Sequence, residues 1–210
     1  MPVIFFIGVL TFSLIFPGSR GIWEPDEGRY TNIAAQMLKS GDYLYPSFND
    51  DLHHFAKPPM TYWAISMGIK LLGWNEWGAR LPNALAFSAT IMLIYLIGVR
   101  LVPARPWLPA VIYGTSLMPY CASNIVTTDT ILTLWETVAV LGAVLWLTRQ
   151  DGTRGRVALF LIWSGFALAF LTKGPPGLLP LLAILAFIAL TKGWREIFRM
   201  FTIEGIAVFA

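Results

Sequence analysis

The sequence predicts an all-α integral membrane protein with about six to seven transmembrane helices and amphipathic helices on the outer face between the first two. Three observations carry that expectation. Hydrophobic residues make up 56% of the 210 and charged residues only 13%, about half the roughly 25% charged residues of a soluble domain. The apolar residues come in long blocks rather than in an amphipathic rhythm, and mean hydropathy is +0.63. Basic residues also alternate from loop to loop, as they do when one side faces the cytoplasm.

The blocks run over residues 3–16, 81–99, 108–126, 130–147, 157–171 and 178–190, and a seventh begins near 201. A span needs roughly 17–25 residues, so the second, third and fourth fit directly, and the fifth and sixth draw in flanking residues. The first block competes with a signal peptide. Such a peptide wants a positively charged start and a small-residue cleavage site. No Lys or Arg precedes Phe16-Pro17-Gly18, which itself makes a poor cleavage site, so a retained helix is expected. The single Cys121 excludes an internal disulfide. A formal charge of +3, scattered along the chain, points to no nucleic-acid partner.

Orientation follows from the loops. Arg100 and Arg105 follow the second span, Arg149, Arg154 and Arg156 the fourth, and Lys192, Arg195 and Arg199 the sixth. The short turns after the third and fifth spans, on the other side, contribute only Lys173. Positive loops stay inside, which makes the N-terminus cytoplasmic and places residues 17–77 outside. That outer segment carries seven of the twelve acids: Glu24, Asp26, Glu27, Asp42, Asp50, Asp51 and Glu76. Trp23, Trp74, Trp77, Trp107, Trp146 and Trp194 fall near expected span ends, as an interfacial belt would. Within the outer segment, Tyr30, Ile33, Ala34, Met37 and Leu38 recur at helical spacing. Acids in the first turn and Gly41 after the end mark a helix over 26–40, lying along the membrane surface. Residues 42–55 read as a loop and 58–72 as a second, largely apolar helix, half-embedded. The chain reads as one domain over 1–210, without repeats or flexible linkers.

Three features on the outer face could carry chemistry. Asp26 lies one turn before Tyr30, which would turn its carboxylate with the apolar stripe. Desolvation there would raise its pKa and suit it to act as a base. The competing reading is a helix cap with an Asp26–Arg29 pair. Lys57, directly, and Lys173, one glycine earlier, precede paired prolines where a helix should start. A helix N-terminus with an adjacent Lys binds anions, and two on one face suit a lipid-linked phosphate; alternatively each Lys snorkels to the interface. Asp129, in Thr127-Thr128-Asp129-Thr130, either caps the fourth span or supplies a second carboxylate. Glu136 lies seven residues deeper, where an ionisable group is costly, and has no assigned role. His53-His54 beside Asp50-Asp51 could hold a metal, but adjacent histidines lack the spacing of a helical ligand pair, and a solvated loop is the competing reading.

Several stretches together resemble one family: Asp26-Glu27-Gly28-Arg29-Tyr30; Lys57-Pro58-Pro59 with Tyr62-Trp63; Glu76-Trp77-Gly78-Ala79-Arg80-Leu81-Pro82; Thr128-Asp129; and Leu171-Thr172-Lys173-Gly174-Pro175. The chain resembles the N-terminal half of the lipid A aminoarabinose transferase and protein O-mannosyltransferase superfamily, integral membrane glycosyltransferases of the GT-C type. The resemblance implies a donor sugar on a polyprenyl phosphate and an acceptor, such as lipid A or protein, met at the outer (periplasmic) face of the bacterial inner membrane. It makes Asp26 the catalytic carboxylate and Asp129 a second acid. Arg29, Tyr30, Lys57 and Lys173 become substrate-binding, with Lys57, Arg29 and Lys173 holding the lipid phosphate. The family often carries an acid just before Lys-Pro-Pro; here that position is Ala56. A divalent-metal site using that acid lacks the ligand, so no cofactor is implied with certainty. Family members are longer, so the expectation is a truncated or split version whose acceptor site a C-terminal part or partner subunit completes. Two other readings stay open: a non-catalytic polyprenyl-phosphate-binding half, and a small transporter or flippase subunit, for which Glu136 is the hint.

Overall fold

A computed structural model describes residues 2–23, 25–49, 53–148 and 153–209. Glu24, Asp50, Asp51 and Arg149 lie outside the described residues, so the acid half of the His53-His54 cluster does too. Among the described residues the regular structure is helical, with one isolated bridge between Ser47 and His53. The helices are α1 (Pro2–Ser13), α2 (Asp26–Ser40), α3 (Met60–Leu72), α4 (Glu76–Leu101), α5 (Leu108–Thr115), α6 (Leu117–Ser123), α7 (Asp129–Leu147), α8 (Thr153–Lys173), α9 (Leu179–Thr191), α10 (Trp194–Met200) and α11 (Ile203–Phe209). A 3₁₀ turn, Pro175–Leu178, leads into α9.

Among the described residues, three helices are long and apolar enough to cross a membrane: α4, α7 and, within α8, Gly155–Lys173. The chain is a multi-pass membrane protein. Its expected third span differs from a single helix, because 108–126 breaks into α5 and α6 at Ser116, whose backbone is extended (φ −69°, ψ 132°). Pro119 explains the break. A proline inside a helix has no N–H to give and clashes with the carbonyl four residues back. Restarting at Leu117 puts Pro119 in the first turn of α6, where no N–H is needed.

The centre of the membrane part is the antiparallel pair α7–α8, which meets over small residues. Ala139, Ala143 and Ala158 are buried there. A Cβ on Gly142 would come within 2.7 Å of the Ile162 nitrogen, and one on Gly165 within 2.6 Å of the Ala139 nitrogen. Lipid offers helices no hydrophobic drive to associate, so close backbone approach supplies the attraction.

Helices α2 and α3 form a second cluster, in which Tyr30, Ile33, Ala34 and Met37 pack against Tyr62, Ile65 and Ile69. Ser66 Oγ donates to the Ala34 carbonyl at 3.0 Å and ties the two helices together. Gly41 ends α2 in the left-handed region (φ 74°), its N–H returning to the Met37 carbonyl at 3.0 Å. Asn75 caps α4, its side chain accepting from the Gly78 N–H at 2.9 Å. Val126, from the loop before α7, is buried in the same cluster. That contact brings the start of α7 against α2 and α3.

Candidate functional site

Adjacent acids at the start of α2 have opposite fates. The stripe of α2 was expected to carry Asp26, yet Glu27 is the buried one, 1% exposed, while the Asp26 side chain is 60% exposed. The side chain of a helix's first residue leans N-terminally, off the end of the stripe. Asp26 therefore meets solvent and Arg29, 2.5 Å away. The desolvated-base argument for Asp26 fails, and what remains is an exposed carboxylate held beside a guanidinium.

Glu27 faces Arg80 of α4, which is itself 0% exposed. Arg80 Nε and Nη2 reach the two carboxylate oxygens at 2.9 and 3.0 Å. Arg20 Nη1 adds a third contact at 2.7 Å, and the backbone N–H groups of Trp23 and Val126 donate at 2.9 and 2.8 Å. Arg80 spends its remaining donors on the carbonyls of Pro17, Arg20 and Gly21 at 2.6–2.8 Å. Burial by itself would push the Glu27 carboxyl up. The hydrogen bonds from Arg80, Arg20, Trp23 and Val126 outweigh it and hold the carboxyl at about 2.

This node fixes the loop before α7. Arg20 Nη2 donates to the Asn124 carbonyl at 3.2 Å, and Asn83 Nδ2 to those of Ile125 and Thr127 at 2.6 and 3.1 Å. Asp129 opens α7 two residues beyond. Its carboxylate pairs with Lys173, the last residue of α8. The prolines after Lys173 do open a helical turn, but the Lys173 ammonium is held by a carboxylate rather than standing alone. Among the described residues no carboxylate pairs with Lys57.

Lys57 belongs to a different group. The Tyr30 ring, buried between α2 and α3, has the Arg29 guanidinium 5.1 Å and the Lys57 ammonium 5.5 Å from its centre. Two cations on one ring gather positive charge at this point. The candidate residues thus form two clusters: Asp26, Arg29, Tyr30 and Lys57 in one, and Asp129 with Lys173 in the other. Glu27 joins them, being next to Asp26 in sequence and bonded to Val126. The electrostatic fields of Lys173 and Asp129 also reach Glu136, which is half-buried. Sequence reading missed Glu27 and Arg80 as partners, although both stood inside the quoted motifs. Among the described residues no three of His, Cys, Asp and Glu converge as metal ligands.

A helical, multi-pass membrane protein with carboxylates and cations grouped where α2 and α3 meet its spans is the class that fold and site define. Residues 56–210 match the dolichyl-phosphate-mannose-protein mannosyltransferase family, and the chain belongs to it. It is 33% identical over 195 residues to an undecaprenyl phosphate-alpha-4-amino-4-deoxy-L-arabinose arabinosyl transferase of Edwardsiella ictaluri, covering 90% of this chain and 35% of that one. A second such transferase, from Pseudomonas fluorescens, is 30% identical over 197 residues, 91% of this chain and 35% of the relative. The chain therefore spans about a third of the length of these curated relatives. Among solved structures, ArnT from Cupriavidus metallidurans superposes with a TM-score of 0.89 in the apo state and 0.86 bound to undecaprenyl phosphate. Identity is 27% and 28%, over 99% of this chain and 39% of ArnT. The family resemblance read from the motifs is borne out.

Proposed function

We propose that this chain carries the lipid-phosphate and carboxylate part of a membrane glycosyltransferase that uses a sugar linked to a polyprenyl phosphate. The arabinosyl transferases it resembles name one such donor, undecaprenyl phosphate-linked 4-amino-4-deoxy-L-arabinose. The observation that carries the reading is the pair of cations, Arg29 and Lys57, on the Tyr30 ring beside the exposed Asp26 carboxylate.

The chemistry follows from those charges. An acceptor nucleophile attacks the sugar carbon that bears the phosphate. The carbon–oxygen bond breaks and its electron pair leaves with the polyprenyl phosphate. Cations placed at that oxygen stabilise the charge as it develops, which lowers the barrier directly. Asp26 orients the acceptor hydroxyl or amine and takes its proton. Arg29 pairs with Asp26 and holds it in place while its Nε remains free for the phosphate. Asp129 and Lys173 work as a pair, with Lys173 orienting Asp129, a change from the phosphate-holding role that the resemblance implies for Lys173. Acceptors of the class of lipid A or protein would meet the donor at the outer face of the inner membrane. In this reading the chain has six spans, counting α1, α5–α6 and α9 with the three long helices, and a seventh begins with α11. Its N-terminus is cytoplasmic, and α2 and α3 lie along the periplasmic surface.

Binding of undecaprenyl phosphate to the detergent-solubilised protein tests the reading. A charge-assisted phosphate contact contributes about 1.5–3 kcal/mol, so Lys57→Ala is expected to weaken binding by about ten- to a hundredfold. Unchanged affinity in both Lys57→Ala and Arg29→Ala would remove the phosphate site from this cluster. Binding that survives intact while the protein shows no sugar transfer would instead support a lipid-binding half that needs a partner subunit.

A further inference from the structure

Beside the two cations sits a group that the reaction as described does not use. Tyr62 of α3 is 0% exposed, and its ring lies 6.0 Å from Tyr30 on one side and 6.0 Å from His54 on the other. His54 is held edge-on between Tyr62 and Phe48, 5.0 Å from the latter, and its backbone N–H is fixed to the Pro46 carbonyl. Tyr62 Oη, His54 Nε2 and Arg29 Nε are all buried, and none has a hydrogen-bond partner among the described residues. Buried polar atoms without partners are rare and costly. All three belong to side chains gathered around the Tyr30 and Tyr62 rings with the two cations, and their unmet donors suit a negatively charged partner rich in acceptors.

We propose that His54 is a further contact of the phosphate site, binding the phosphate as an imidazolium together with the Tyr62 hydroxyl, so that the site takes up a proton as the phosphate enters. The proposal rests on the phosphate assignment of Arg29 and Lys57. Its reasoning is electrostatic. His54 is partly buried and faces Arg29 from α2 and Lys57 from its own segment; both disfavour a third positive charge, as burial does first. Among the described residues, the other titratable groups around it are Tyr30, Tyr62 and the exposed His53, whose ring packs on Tyr45 and Phe55. Asp26 pairs with Arg29. Burial keeps the Tyr62 phenol protonated by pushing it well above its ordinary range. A phosphate entering between Arg29 and Lys57 cancels the two charges that hold His54 neutral. The same Nε2 then gains an acceptor, and the protonated form is the one that donates to it. Polyprenyl phosphate and free inorganic phosphate share this chemistry.

Calorimetric titration in two buffers of different ionisation enthalpy counts the protons taken up on binding. The probes are undecaprenyl phosphate in detergent micelles and inorganic phosphate, each against the wild-type protein, His54→Gln and His54→Asn. The wild-type protein is expected to take up more protons near pH 7 than either variant. Its affinity should rise relative to theirs by about three- to tenfold as pH falls from about 7.5 to about 6, since one proton per site limits the gain to tenfold per pH unit. Comparing variants under the same probe removes the titration of the phosphate itself. Tyr62→Phe should weaken binding without changing the proton count. Proton uptake with the lipid alone assigns the site to the lipid headgroup, and uptake with both probes assigns it to the phosphate group as such. Equal proton counts in wild type and both His54 variants, with Lys57→Ala still weakening binding, would overturn the role of His54 and leave the phosphate site standing. If Lys57→Ala and Arg29→Ala also leave binding unchanged, the phosphate assignment falls with it.

Discussion

Glu27 and Arg80, 53 residues apart in the chain, meet as a fully buried two-pronged ion pair at 2.9 and 3.0 Å. The pair binds the first turn of α2 to the second turn of α4. Through Arg20 and Val126 it also binds the entry to α2 and the loop before α7. Taking one partner away strands the other charge in the protein interior. Glu27→Ala or Arg80→Ala is therefore expected to cost about 3–5 kcal/mol. Thermal unfolding in detergent measures this, and Arg80→Lys should lose much of the same stability, because an ammonium cannot reach both oxygens and three carbonyls.

The same pair sets an acid limit. With the carboxyl at about 2 in the folded protein and an ordinary value of 4.5, the folded state binds fewer protons than the unfolded state between those values. Stability from Glu27 is fully present above pH 4.5 and lost as pH falls towards 2. The difference corresponds to on the order of 3 kcal/mol. Unfolding followed from about pH 6 to about pH 3 should show a fall in the wild-type protein that Glu27→Gln, already destabilised, does not show to the same extent.

Much of this was readable in the residues. The helix over 26–40 begins and ends where Asp26 and Gly41 predict, because cap and stripe are local properties. The apolar blocks at 81–99, 130–147 and 157–171 sit inside α4, α7 and α8. The break at Ser116 was hidden because 108–126 is apolar throughout, and only the place of Pro119 in a turn reveals it. Which of two adjacent acids is buried was not legible either. Asp26 and Glu27 both flank the stripe, and a partner 53 residues away decides between them. Likewise Lys57 and Lys173 look alike in sequence, the one directly and the other one glycine before Pro-Pro, yet only Lys173 has Asp129 across from it, 44 residues away.

That difference between the lysines is itself testable. Lys57→Ala should weaken binding of polyprenyl phosphate, whereas Lys173→Ala should leave that affinity within about threefold, less than one charge-assisted contact contributes. Lys173→Ala should instead lower turnover, and Asp129→Asn should lower it similarly. The double variant should be little worse than either, since coupled residues do not add. A binding series and a turnover series on the same four proteins, Lys57→Ala included, check the split.

Sugar transfer by Asp26→Asn tests the central claim most directly. Membranes carrying the protein would be supplied with labelled undecaprenyl phosphate-linked aminoarabinose, and label in the acceptor would be followed beside lipid binding. A base contributing about 10²–10⁴-fold is lost with the carboxylate, while Arg29 and Lys57 keep the phosphate. The account predicts transfer reduced by at least about a hundredfold at unchanged expression, with lipid affinity retained. Transfer at the wild-type rate in Asp26→Asn would contradict it.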